Sequence, residues 1–427
     1  MYSIEEREAC YGCSMTGVRR VAIHNPGAVI IFHSPMSCGQ IIREKDSNGW
    51  RIFKSSVITG APIITTNIEN NDVIFGAHKK LKDCIEYVAG RYKPEYILIG
   101  NSCVSGIIGD DIESIAQSCS NQLKIPIFTV HCYGFLNGGY ETGVKEASRC
   151  LIEAFVLPQT ETEESVTLVG IVDREKNFEY AFIDEILKDW HIDINCIFPG
   201  YASVQEMKDI GRGKACILCS RYNMVHAPFS EIARKVSQKT GIPLMDLYDP
   251  IGFSDSLKWI SDAGNFLKVP AESIAGTIRK QKQKYLQVIY KYKSIFAGAT
   301  ACILFVKKSS YELCLSWFRE LLELVNIDIR AISFSDTYSE NDKERIITEG
   351  EFHNIALVPF DNTFSVYSKF NFVFTFRMNE KSKTVNMIAI PYVNPVFGSS
   401  GLETFYYETL KIFRKGQHRN AITPTFF

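Results

Sequence analysis

Three cysteines stand where soft-metal chemistry could be done: Cys13 in a turn-like YGCSMTG, Cys38 in HSPMSCG and Cys103 in GNSCVSG. Thiolate sulfur is a soft ligand of the kind that iron-sulfur clusters require. Small neighbours at Gly12, Ser37, Gly39, Ser102 and Gly106 would let the backbone approach a bulky inorganic group and offer N–H donors to its sulfides. Cysteine is also among the residues most often buried with no ligand role. Residue type and position alone leave both readings open for these three. Cys84, Cys119, Cys150, Cys302 and Cys314 lie inside apolar helix or strand patterns and read as packing residues.

Two CxxC pairs, Cys10 with Cys13 and Cys216 with Cys219, raise zinc and thiol-redox readings. The pairs are roughly 200 residues apart, and neither has the βαβ context of a thiol-redox motif. A structural zinc site needs four converging ligands, which this spacing does not supply. No GxxxxGK[ST] run occurs, so no phosphate-cradling loop for ATP is expected, and GRGKA at Gly211 is only a glycine-rich turn.

The elements that must carry these cysteines follow from the hydrophobic pattern. A chain of 427 residues exceeds one ordinary core, so two or three domains are expected. Its 46% hydrophobic and 22% charged content is that of a globular protein, and a net charge of -1 gives no general attraction to nucleic acid or an anionic membrane. Met1 to Glu8 lacks the basic region and apolar core of a secretory signal, and no apolar run reaches membrane-spanning length. A cytoplasmic setting is therefore expected, in which the thirteen cysteines stay reduced.

Short β-branched runs alternate with amphipathic stretches, the pattern of parallel α/β domains. Strands are expected at Ala28 to His33, Tyr96 to Gly100 and Ile125 to His131. A helix is expected over Asp110 to Leu123, capped by Asp110 or Asp111. The polar run Gln159 to Ser165 marks a boundary. Beyond it come a strand at Val166 to Val172, a helix near Tyr180 to Trp190, a strand at Ala215 to Cys219, a helix at Phe229 to Lys239 and a strand at Pro243 to Leu247. A long helix around Ala271 to Tyr292 closes this block. A third block opens with Ala299 to Val306 and carries strand-like Asn371 to Phe376 and Asn386 to Ile390. The expected architecture is three consecutive Rossmann-like parallel α/β domains packed as one unit, at 1–160, 161–292 and 293–427. Cys38 and Cys103 fall just beyond strand ends, where loops of open α/β sheets converge and ligands bind.

In this order and spacing the motifs resemble the nitrogenase component 1 family. The runs GCSMTG, IIFHSPMSCG, TTNIENNDVIFGAHKKLKDCI, YILIGNSCVSGIIGDDIESIAQ and IPIFTVHCYGFLNGGYETG follow one another as in that family, with 25 residues from Cys13 to Cys38 and 65 from Cys38 to Cys103. The resemblance implies that Cys13, Cys38 and Cys103 ligate an iron-sulfur cluster at the interface with a related subunit that completes the coordination. The resemblance leaves the cluster open between an eight-iron P-cluster, as in dinitrogen-reducing members, and a 4Fe-4S cluster, as in other relatives; the 4Fe-4S cluster is preferred as the simpler. CSRYNMVHAPFSEIARKVSQKTGIPLMDL is similar to the segment that carries a cofactor's cysteine ligand in the family's α-type subunits. Cys219 occupies that place, with a catalytic or second-metallocofactor role set against a buried strand-end role. Asn394 to Phe405 (NPVFGSSGLETF), where such subunits carry a histidine ligand, has none, and His353 and His418 sit in unmatched polar contexts. Dinitrogen reduction itself is not expected.

The resemblance thus implies a nitrogenase-like oxidoreductase subunit. Its partners would be a β-type subunit in an α2β2-like assembly, or a second copy in a homodimer, with a separate ATP-binding iron protein as electron donor. A scaffold that carries a cofactor precursor is the alternative. The substrate is left open among a tetrapyrrole double bond, an organic sulfur compound and a cofactor intermediate.

Overall fold

The computed structural model describes residues 13–39, 60–133, 139–158, 161–172, 178–219, 228–306, 315–375, 387–389 and 396–417. Cys10, Cys314, His418, Tyr11 and Gly12 at the start of the first motif, residues 220–227 of the Cys219 motif and residues 394–395 of the 394–405 stretch lie outside them. The described residues fall into two compact units, one of 13–172, 191–219 and 228–246, the other of 178–190 and 247–417.

The first unit opens with α1 (Ser14–Ala22), β1 (Ala28–His33), β2 (Ile63–Thr65), α2 (Asn70–Phe75) and α3 (His78–Tyr92). There follow β3 (Tyr96–Asn101), α4 (Cys103–Ile108), α5 (Ile112–Leu123), β4 (Ile127–His131) and α6 (Tyr140–Phe155). The strands form a parallel sheet in the order β2-β1-β3-β4, with Ala28 opposite Tyr96 and His33 opposite Asn101. Every residue of β1 and β3 is buried, as parallel strands covered on both faces must be. Side chains alternate between the faces. Val29, Ile31, Ile97 and Ile99 pack with Leu81, Ile85 and Val88 of α3 and Ile112 and Ala116 of α5. Ile30, Phe32 and Leu98 pack with Met15 and Val18 of α1 and Val144 and Leu151 of α6.

Helices α1 and α6 meet through Gly17 and Gly143. A Cβ on Gly17 would run into the carbonyl oxygen of Tyr140, and one on Gly143 into that of Ser14, so only glycine permits this approach.

The same unit holds a second parallel sheet. In chain order come β5 (Ser165–Val169), α7 (Phe178–Asp189), β6 (Asp193–Phe198), α8 (Val204–Asp209), β7 (Ala215–Leu218), α9 (Phe229–Thr240) and β8 (Leu244–Met245). The order is β6-β5-β7-β8; α7 belongs with the second unit. β5 ends three residues earlier than the sequence suggests, because Gly170 takes φ +115° and leaves the extended conformation.

The second unit continues with α10 (Ser254–Phe266), α11 (Ala271–Phe296), β9 (Thr300–Phe305), α12 (Ser316–Leu324) and β10 (Asp328–Phe334). It ends with α13 (Glu340–Glu349), β11 (Ala356–Leu357), β12 (Phe372–Thr375), β13 (Met387–Ala389) and α14 (Gly398–Gln417). Its five strands are parallel in the order β11-β10-β9-β12-β13. Three parallel sheets with helices bear out the α/β reading. Among the described residues no helix is long and apolar enough to cross a membrane.

Candidate functional site

In each four-stranded sheet the strand order reverses between the two central strands. Successive connections leave in opposite directions there and open a crevice beyond the carboxyl ends, the usual ligand position in open α/β sheets. In the first sheet this point lies between β1 and β3. Cys38 follows β1 in a helical turn that includes residues 36–39, and Cys103 is the first residue of α4, directly after β3.

Cys13 reaches the site from another direction. It is the N-cap of α1, pairs with Gly139 in an isolated antiparallel bridge, and is steadied by the Ser14 hydroxyl donating to Gly139 O at 3.1 Å. Cys13 is exposed, whereas Cys38 and Cys103 are half-buried. Burial, followed by the charges of Cys13 and Cys103, raises the Cys38 thiol pKa, against a hydrogen bond from Ser37. The thiols of Cys13 and Cys103 therefore lie within electrostatic reach of Cys38. Yet among the described residues no three His, Cys, Asp or Glu side chains gather closely enough to hold a single metal ion.

The small residues beside the cysteines have uses within the fold as well. Gly39 makes room for the Thr65 side chain and Gly106 for the Tyr133 ring, which a larger residue at either position would strike. Ser102 is the N-cap of α4 and accepts from Ser105 N–H at 3.4 Å. Cys103 Sγ lies 3.9 Å from Cys132 O. Cys132, which the sequence reading did not single out, is buried at the end of β4, and burial pushes its pKa well up, with Cys13 and Cys103 adding to the effect. Met36 beside Cys38, Ile107 in α4, and Val73, Ile74 and Phe75 in α2 are exposed apolar side chains, and α2 packs against α4.

Cys219 stands at the corresponding point of the second sheet, between β5 and β7. Its N–H extends the ladder by donating to Val169 O at 2.8 Å. Its side chain is buried, with Sγ 3.8 Å from Ile217 O. Gly170 lies against it so closely that a Cβ there would fall 2.7 Å from Cys219 O. Cys216 lies within β7, fully buried, and burial pushes its thiol up to about 12. Three residues apart on an extended chain, Cys216 and Cys219 face opposite sides and form no CxxC site. His353 is exposed.

A half-exposed set of thiols at the switch point of a parallel sheet defines an α/β protein with a candidate soft-metal site. The chain belongs to the nitrogenase component 1 type oxidoreductases, a family match that spans residues 13–353. Among its relatives, the nitrogenase iron-molybdenum cofactor biosynthesis protein NifE of Bradyrhizobium diazoefficiens is 22% identical over 80% of this chain and 61% of its own length. NifE of Clostridium pasteurianum is 27% identical over 70% of this chain and 63% of its own. The nitrogenase molybdenum-iron protein alpha chain of Methanosarcina barkeri is 26% identical over 68% of this chain and 54% of its own. The chain thus spans less than two thirds of the length of these relatives. A solved structure of nitrogenase Cp1 at pH 6.5 shares the fold, with a TM-score of 0.68 and 19% identity over 97% of this chain and 90% of that one.

Proposed function

We propose that this chain is a nitrogenase-like subunit in which Cys13, Cys38 and Cys103 hold an iron-sulfur cluster. The observation that carries the reading is their arrangement: three thiols gathered at one switch point, with Cys13 and Cys103 near enough to act on Cys38's ionisation. Thiolates around one tetrahedral ion stand about 3.8 Å apart, given a metal-sulfur bond of about 2.3 Å. In a cluster each thiolate binds a different iron, so the three sulfurs need not approach one another that closely. Three protein thiols leave a 4Fe-4S cube one ligand short, and the exposure of Cys13 leaves that side open to a partner.

When bound, such a cluster stores and passes on single electrons. The chain's own part is to hold the thiols, keep water from the buried side and present a docking face. The exposed Met36, Val73, Ile74, Phe75 and Ile107 on the elements flanking the cysteines suit that face. A β-type subunit or a second copy would meet it to complete the ligation, with a separate ATP-dependent iron protein as electron donor in the cytoplasm. Cys219 would border the reduction cavity, or a second metallocofactor, at the other switch point.

The names of the NifE relatives favour a second reading, a scaffold that carries a cofactor precursor and releases it without turnover. Co-purification with a partner and a reduced iron protein separates the two. A reductase oxidises its donor only when substrate is present; a scaffold gives up its cluster to an acceptor protein. Absence of iron and sulfide from anaerobically prepared complex would sink both.

A further inference from the structure

Beneath the cysteine loops lies a buried set of side chains, Thr66, His33 and Asp110, that the proposed function leaves unused. His33, the last residue of β1, is fully buried, with Nδ1 3.0 Å from Thr66 Oγ1 and Nε2 3.0 Å from Asp110 Oδ2. Thr66 Oγ1 also accepts the Ser34 N–H at 3.2 Å. A carboxylate only accepts, so the neutral ring turns its N–H toward Asp110 and leaves Nδ1 to accept the Thr66 hydroxyl proton, an arrangement that the Ser34 N–H donating to the same oxygen permits. The ring thus carries its hydrogen on Nε2. The Asp110 carboxylate also accepts the Ala77 N–H at 3.1 Å, at the start of the 15-residue α3, and faces His78 Nδ1 at 3.3 Å. Burial lowers the His33 pKa, opposed by Asp110 and more weakly by Asp72, while His78 adds to the lowering.

The backbone of His33 serves both cysteine loops. Its carbonyl accepts the Ser102 N–H at 3.1 Å and lies 3.0 Å from the Ser105 hydroxyl, and Cys103 stands between those serines. The next residue, Ser34, is fixed by Thr66 and accepts the Ile68 N–H at 3.0 Å before the chain runs on to Cys38. Both loops are therefore tied to one anchored residue, the Cys38 loop by chain continuity and the Cys103 loop by hydrogen bonds to its carbonyl.

We propose that His33, held in its Nε2–H form between Thr66 and Asp110, is a positioning residue that sets the separation of Cys38 and Cys103. It acts through backbone, toward Cys38 by way of Ser34 and toward Cys103 by way of Ser102. Its purpose rests on the cluster reading, but the separation it sets is a property of the chain without metal.

The test bridges the two thiols in the full-length, metal-free protein with dibromobimane, a short reagent that joins paired cysteines, and maps the product by peptide mass. In wild type the Cys38–Cys103 bridge forms readily. In His33→Ala it forms about tenfold more slowly, since small misplacement of reacting groups costs rate steeply. His33→Gln, whose amide N–H can reach Asp110 in place of Nε2, restores the rate, while Thr66→Val slows it. Alkylation of Cys103 alone by iodoacetamide is unchanged in all four proteins. The proposal is overturned if wild type forms no such bridge, if His33→Ala bridges at the wild-type rate, or if His33→Gln is as slow as His33→Ala. Should His33→Ala not fold, Thr66→Val decides: bridging at the wild-type rate overturns the proposal. Reconstitution with ferrous iron and sulfide keeps the two readings apart. Bridging ranked as stated with no iron uptake removes the cluster reading and leaves the positioning role; iron uptake with equal bridging rates does the reverse.

Discussion

The two four-stranded sheets of the first unit share a strand pattern, and each carries a cysteine just past a central strand at the point of reversal. What surrounds the sulfur differs. At the first edge Cys13, Cys38 and Cys103 are exposed or half-buried and close enough to raise the cost of ionising Cys38. At the second edge Cys219 is 1% exposed. Position on a fold thus nominates a cysteine, and only its surroundings distinguish an open thiol set from a packed one.

The largest expected effect breaks the comparison outright. Cys38→Ala or Cys103→Ala should remove most of the iron and sulfide from the anaerobically prepared complex, since a cube that loses one of three thiolates from this chain is held by two. Cys219→Ser should leave iron bound by the first edge near its wild-type level. The check is iron and sulfide per chain, measured by colorimetric assay. Equal loss in all three variants would mean the edges are not separate sites.

A second pair of changes addresses the backbone behind each edge. Gly143→Ala pushes a Cβ into the Ser14 carbonyl beside Cys13, and Gly170→Ala pushes one toward Cys219 O at a φ of +115° that alanine rarely adopts. Each should cost about 1–3 kcal/mol of stability by overpacking. In denaturant unfolding Gly143→Ala should also lower iron retention, while Gly170→Ala should not. Gly90→Ala, in the interior of α3 with open space around its Cβ, is the control and should stabilise by roughly 0.5–1 kcal/mol.

Much of this was legible in the sequence for plain reasons. Ala28–His33 and Tyr96–Asn101 are continuous apolar runs because both faces of a parallel strand are covered, and they were found within a residue of their bounds. Of the two aspartates that could cap α5, which begins at Ile112, each has its own work. Asp111 caps it, accepting from Ser114 N–H at 3.1 Å, while Asp110 turns inward to His33. That partnership spans 77 residues and no local pattern could show it. The neighbours of Gly39 and Gly106, Thr65 and Tyr133, likewise come from far along the chain and leave no local trace.

A smaller effect sharpens the comparison at Cys219. If its sulfur only packs, Cys219→Ser leaves a hydroxyl in an apolar site and costs about 1–3 kcal/mol unless it finds a partner. Activity per folded molecule then survives. If Cys219 borders a reduction cavity, stability changes little relative to a severe fall in turnover. Turnover normalised to the iron held at the first edge decides: a value near wild type ends the case for Cys219 as a site residue.

The smallest effect is one of pH and concerns His33. Its folded pKa lies below the ordinary 6.5, chiefly because burial disfavours the charged ring. On unfolding below pH 6.5 the ring takes up a proton that the folded form does not hold, so the unfolded state binds more protons there. The contribution to stability is therefore fully present above 6.5 and is lost as pH falls from 6.5 toward the lowered folded value, below which it no longer changes. One proton limits the slope to about 1.4 kcal/mol per pH unit. Burial keeps Cys216, near the second edge, neutral up to about pH 12, so it adds nothing in this window. Asp110, His78 and Asp72 face His33 and remain in the variant, so the difference between wild type and His33→Gln isolates the ring. Urea unfolding of the metal-free chain between pH 8 and pH 5 should show stability falling more steeply in wild type than in His33→Gln, with the two curves parallel above about pH 7. Parallel curves throughout would mean that His33 takes up its proton in the fold as it does in the unfolded chain, so that the ring is not kept neutral between Thr66 and Asp110.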